Sequence, residues 1–130
     1  MVFGTFDILH PGHLDFFRQA KKLGNFLIVS LARENNIRKI KGRKALHSEK
    51  QRLMMVEALK IVDKAVLGAS EYYIKHIASQ KPHIIALGYD QKAFTEDLKE
   101  KLIATGLKKI QIVRLKAYKP SKYKTSKLIL

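Results

Sequence analysis

Cysteine is absent from the 130-residue chain. With it go disulfides, cysteine-ligated zinc and thiol nucleophiles, although a chain of any compartment can do without the residue. Long apolar runs are absent too. The longest, Phe26 to Ala32, is seven residues interrupted by Ser30, far short of the ~20 that a membrane helix needs, and it reads as a buried strand. Met1 to His13 lacks the basic-then-apolar order of a secretion signal, so a cytoplasmic protein with no membrane partner is expected. Repeats, low-complexity tracts and linkers do not occur. Acidic residues are scarce: 11 Asp and Glu against 26 Lys and Arg leave a formal charge of +15, and Lys101 to Leu130 holds no acidic side chain. Such a surface attracts anions. Nucleic acid, anionic lipid and small phosphorylated ligands all qualify, and net charge does not choose among them.

What is present suits one globular domain, residues 1–130. With 46% hydrophobic residues, a chain of this size buries roughly two-thirds of its unfolded surface without covalent staples. Strand-like apolar runs fall at Met1–Gly4, Phe26–Ala32, Ala65–Gly68, Ile84–Gly88 and Ile110–Leu115. The first is short for a central strand, which suggests that a few native residues precede Met1. Helical patterns alternate with these runs. One spans about Gly12–Leu23, with Leu14, Phe17 and Ala20 facing inward and Gly24 stopping it. A second follows the capping box of Ser48 and Gln51, with Leu53, Met54, Val56 and Leu59 as its apolar residues. A third covers about Glu71–Gln80 and a fourth about Phe94–Thr105. Met54 and Met55 read as core, and His76 and His83 as structural. Alternating strands and helices predict an α/β fold, a Rossmann-like, doubly wound, five-stranded parallel sheet. Ligands of such sheets bind beyond the carboxyl ends of the strands. That rule selects Gly4–His13, Ala32–His47, Gly88–Phe94 and the tail after Leu115.

The first of these segments, Gly4-Thr5-Phe6-Asp7-Ile8-Leu9-His10-Pro11-Gly12-His13, concentrates the chemistry. Gly4 lets the chain leave its strand sharply. Pro11 and Gly12 suit a helix start, which sets His13 in the first helical turn, where unpaired N–H groups and the helix dipole favour a phosphate. His10 stands three residues earlier, so two imidazoles and a helix N-terminus converge on one anion. The spacing is neither that of a dinucleotide fingerprint nor that of a Walker loop. No third ligand stands nearby for zinc.

Gly4-Thr5-Phe6-Asp7 followed by His10-Pro11-Gly12-His13 resembles the signature of the cytidylyltransferase-like nucleotidyltransferases, and Leu87-Gly88-Tyr89-Asp90-Gln91 extends the resemblance toward the archaeal FAD synthases. The likeness covers most of the chain, including His47-Ser48-Glu49, Arg52 and Val62-Asp63. It implies transfer of AMP from ATP to FMN by in-line attack with no covalent intermediate. Glycerol 3-phosphate cytidylyltransferases are the nearest alternative, and a basic nucleic-acid-binding domain without catalysis is a third reading, which paired histidines at a sheet edge disfavour. By the same resemblance His10 and His13 stabilise the transition state, and Thr5 and Phe6 line the nucleotide with backbone, beside Pro11 and Gly12. Lys41 and Arg43 are catalytic cations, with Arg43 where the family has Lys. Lys44 and Arg52 take substrate phosphate. Asp90, Tyr118, Thr125 and Ser126 complete the nucleotide site, Lys124 to Lys127 being an imperfect match to the family's serine- and threonine-rich segment.

Lys39, Lys41, Arg43 and Lys44 are expected on a long loop before the second capped helix, free to close over a triphosphate. Asp7 orients groups within its turn or merely caps it. Tyr118 offers a surface for stacking a flat ring. A divalent cation, Mg²⁺, is expected to arrive largely on the substrate's own oxygens, so no protein metal ligand is named. The resemblance further implies a homodimer.

Overall fold

The computed structural model describes residues 1–69, 71–91 and 97–117. In chain order its elements are β1 (Val2–Gly4), α1 (Pro11–Lys22), β2 (Ile28–Leu31), α2 (Glu34–Lys41), α3 (Glu49–Glu57), β3 (Lys64–Leu67), α4 (Tyr73–Gln80), β4 (Ile84–Leu87), α5 (Leu98–Ala104) and β5 (Gln111–Arg114). The strands pair in parallel, with Val2 opposite Val29, Val29 opposite Ala65, and Ile85 opposite Ile112. The result is an α/β fold. The five strands expected in one sheet are grouped as two, β1-β2-β3 and β4-β5. The sheets touch where the Ala86 N–H donates to the Met1 carbonyl at 3.0 Å. Past that bond a side chain rather than backbone links them, which interrupts the ladder.

Alternation along the strands feeds two cores. Val2, Val29, Leu31 and Ala86 pack with Phe17 and Ala20 of α1 and Val56 of α3, whereas Ile28, Ile85 and Leu87 pack with Ile77 of α4 and Leu98 and Leu102 of α5. Helices therefore cover both faces. Their residues reach the cores at helical spacing, and α3 carries the expected reciprocal cap between Ser48 and Gln51. Three expectations need correction. The segment after β2 is not a loop throughout: α2 occupies Glu34–Lys41, anchored by buried Ile37, aided by the Glu34–Arg38 pair at 4.0 Å, and ended by left-handed Gly42. Met54 and Met55 are not core but 63% and 54% exposed, because α3 turns Arg52 and Val56 inward instead. Phe26 is exposed, and the strand it was to open begins at Ile28.

Candidate active site

The chain leaves β1 at Gly4, where a Cβ would stand 2.5 Å from the Phe6 ring. Any side chain there would have to displace it. Phe6 itself adopts a left-handed backbone, φ 52°, a conformation that costs a non-glycine residue about 1–2 kcal/mol. Burial of its ring offsets that cost by roughly 2–3 kcal/mol: Phe6 is 6% exposed, with ring centroids 5.1 Å from Phe17 and 5.5 Å, edge-on, from His13. Its side chain thus braces the turn from beneath and leaves the backbone of Thr5 and Phe6 at the carboxyl edge.

His10 is the N-cap of α1, extended at φ −146° and ψ 172°, with Pro11 and Gly12 as the first helical residues. Its Nδ1 accepts the Gly12 N–H at 3.1 Å, and the His13 Nδ1 accepts the His10 N–H at 3.3 Å. Two histidines therefore do what Ser and Glu do in an ordinary capping box. The rings stack, centroids 3.9 Å apart at 29°. Protonation is opposed at both. Burial lowers the His10 pKa, and burial, the neighbouring His10 and Lys41 push His13 down to about 4. A neutral ring whose Nδ1 accepts a hydrogen bond carries its proton on Nε2. The turn thus fixes two uncharged Nε2–H donors, together with the helix N-terminus, a combination suited to oxygens that gain negative charge.

Asp7 ties this turn to the cationic segment. Its carboxylate accepts the N–H groups of Leu46 at 2.7 Å and His47 at 2.9 Å, and the His47 ring lies 3.1 Å from the same group. Burial acts to raise the Asp7 pKa, but these hydrogen bonds outweigh it and hold the carboxyl below its ordinary value. Lys41, at the end of α2, falls within electrostatic reach of Asp7, His13, Arg43 and Arg52; desolvation first, then Arg43, lower its pKa. Arg52 is 1% exposed. Its Nη1 donates to the Thr5 carbonyl at 2.9 Å and its Nε to the His47 carbonyl at 3.3 Å, while Nη2, 4.0 Å from Glu34, has no hydrogen-bond partner. Arg52 is thus a strut beneath the turn with one N–H group unmatched.

The fold brings together Thr5, Phe6, Asp7, His10, His13, Lys41, Arg43 and Arg52. Lys44 is exposed on the same segment, and Asp90 is exposed on the turn after β4. Tyr118, Thr125 and Ser126 lie outside the described residues, as does Phe94. His76 is held to Ser30 at 2.9 Å, and His83 is exposed. Sequence reasoning counted His47 in the likeness of His47-Ser48-Glu49 but gave it no role at the first turn. It also missed the span of Asp7, whose partners stand 39 and 40 positions away. A cleft of about 370 Å³ between Leu23–Ile28 and Lys81–Ile84, lined in part by His83, opens at the amino ends of the strands, away from the first turn and the cationic segment.

Among the described residues no three His, Asp or Glu side chains gather as a metal would require, and the Asp7 carboxylate already serves Leu46 and His47. The described residues do not fit a protein-ligated ion. Among the described residues, too, no helix is long and apolar enough to cross a membrane.

The Cytidylyltransferase-like family matches residues 1–130. The chain is 48% identical over 127 residues to the FAD synthase of Archaeoglobus profundus, an alignment covering 98% of this chain and 80% of that one. It is 49% identical over 114 residues to the FAD synthase of Ferroglobus placidus, covering 88% and 73%. Among solved structures, a lipopolysaccharide core biosynthesis protein from Thermoplasma volcanium superimposes with a TM-score of 0.82 at 39% identity, covering 90% of this chain and 96% of the other.

Proposed function

The chain belongs to the cytidylyltransferase-like family, and from that premise we propose that it is an FAD synthase, an FMN adenylyltransferase that transfers AMP from ATP to FMN. An oxygen of the FMN phosphate bonds to the α-phosphorus of ATP as the bond from that phosphorus to the β-bridging oxygen breaks. The products are FAD and pyrophosphate. No side chain is adenylylated, so the protein's work is alignment of two anions and stabilisation of spreading charge. The observation that carries the reading is the pair of neutral histidines at the mouth of α1, in a chain about half identical to archaeal FAD synthases over nearly its whole length.

In this reading His10 and His13 donate from Nε2 to the α-phosphate, and their hydrogen bonds strengthen as negative charge grows there. Lys41 and Arg43 neutralise the β- and γ-phosphates, Arg43 as a planar fork where the family has a point charge. Lys44 serves the incoming phosphate, and Arg52, its side chain buried, supports that contact from beneath by holding the Thr5 and His47 carbonyls. Thr5, Phe6, Pro11 and Gly12 line the nucleotide through backbone, and Asp90, with Tyr118, Thr125 and Ser126 from the tail, holds its base and ribose. The two groups of strands act as one doubly wound five-stranded sheet around this site. The divalent ion, Mg²⁺ in this proposal, enters on the triphosphate and screens its charge. Both substrates are soluble phosphates, consistent with a cytoplasmic enzyme acting away from membranes.

The test is product identification from purified protein with Mg²⁺. FMN with ATP is expected to give FAD and pyrophosphate, and riboflavin with ATP to give nothing, since it lacks the attacking phosphate. Formation of a CDP-alcohol from CTP and glycerol 3-phosphate, without FAD from FMN and ATP, would refute the reading.

A further inference from the structure

At the start of β1 the two groups of strands are joined as neighbours in a parallel sheet. The Met1 nitrogen donates to the Ile84 carbonyl at 2.8 Å, and the Met1 carbonyl accepts the Ala86 N–H at 3.0 Å. A parallel ladder repeats every two residues, so the corresponding bond further along would run from the Gly88 N–H to the Phe3 carbonyl. The Gly88 N–H instead donates to Oε1 of Gln91 at 2.8 Å, and Nε2 of Gln91 donates to the Phe3 carbonyl at 2.8 Å. A carboxamide has the planarity, donor and acceptor of a peptide group. The side chain of Gln91 is thus spliced into the ladder where a backbone bond belongs, and it holds the carboxyl ends of β1 and β4 one amide apart.

The splice lies where the sheet changes direction, with β1 pairing with β2 on one side and meeting β4 on the other. In open α/β sheets that is where ligands enter. Arg114, at the end of β5, secures the same turn. Its Nη1 donates to the Gly88 carbonyl at 2.8 Å and also to the Gln91 carbonyl. Between those two anchored carbonyls stand Tyr89 and Asp90, both exposed.

We propose that Gln91 is a positioning residue for the nucleotide: its amide sets the width of the crevice between β1 and β4 and, with Arg114, the placement of Tyr89 and Asp90. Gln91 therefore governs nucleotide affinity while leaving phosphate chemistry alone. The inference rests on the FMN adenylyltransferase reading, in which the turn after β4 holds the nucleotide.

The decisive variant is Gln91→Glu, which is isosteric and can still accept from Gly88 but has no donor for the Phe3 carbonyl. It is expected to raise both the KM for ATP and the calorimetric Kd for ATP about tenfold, while kcat at saturation and the KM for FMN stay within about twofold. Arg114→Gln, at an exposed position, is expected to move the same two quantities in the same direction by a smaller factor, and it supplies the test should Gln91→Glu fail to fold. Unchanged ATP affinity in the folded variants overturns the proposal, as does an equal rise in KM for ATP and FMN. A wild-type protein that binds ATP yet makes no FAD refutes the reading of the reaction. The calorimetric comparison then still decides the role of Gln91.

Discussion

The turn from Gly4 to His13 and the segment from Lys41 to His47 meet at one site but are built in opposite ways. The turn is preformed. A buried phenylalanine braces it, two imidazoles cap a helix with their Nδ1 atoms, and neither ring favours a charge. The segment carries exposed cations and is drawn to the turn by the Asp7 carboxylate at Leu46 and His47. On the proposed reading the two regions divide the work: the cations gather a triphosphate from solution, whereas the fixed neutral donors distinguish the transition state from the ground state.

The strongest challenge to that division is removal of an imidazole. His10→Ala or His13→Ala should lower kcat for FAD formation on the order of a hundredfold or more, with a much smaller change in ATP Kd. Near-normal turnover in both would erase the distinction between the regions. Acid should act on the turn next most strongly. His10, His13 and His76 all have folded pKa values below the ordinary 6.5, that of His13 near 4, so the unfolded chain takes up protons that the folded one refuses. Stability is therefore complete above about pH 6.5 and lost as pH falls toward 4, with His13 alone contributing on the order of 3 kcal/mol. Urea melts across that range check the sign; constant or rising stability on acidification would contradict neutral burial.

Smaller effects are expected from the cationic side. Lys41→Ala, Arg43→Ala and Asp7→Ala should each raise the KM for ATP by about tenfold. Asp7→Ala should also speed amide exchange at Leu46 and His47, whose N–H groups it releases. Hydrogen-exchange mass spectrometry reads that directly, and equal protection with and without the carboxylate would show that something else holds the segment. Smallest of all, Met54→Lys and Met55→Lys should change stability by no more than about 0.5 kcal/mol. Phe17→Ala, in the core beneath the turn, should cost about 3–5 kcal/mol.

The same contrast explains what was legible in the residues. The first turn could be read because its parts are consecutive: a glycine at a strand end, a proline at a helix start, and histidines three apart. The strands could be read because alternating burial on two faces leaves continuous apolar runs. The α2 helix was hidden. Among its described side chains Ile37 is the buried apolar one, and its positive charges read as loop. Arg52 displaced the methionines from the inner face of α3 because it has the carbonyls of Thr5 and His47 to satisfy, a demand set by distant chain. The bonds of Asp7 to Leu46 and His47, and of Gln91 to Phe3, likewise join positions with no common local pattern.

The neutral-donor claim is most directly tested by ¹⁵N NMR of the histidine rings at pH 7.5, with wild type and the His10→Ala and His13→Ala variants compared for assignment. Both rings of the turn should show an unprotonated Nδ1 and a protonated Nε2, before and after ATP is added. An imidazolium, or a ring carrying its proton on Nδ1, would contradict the account.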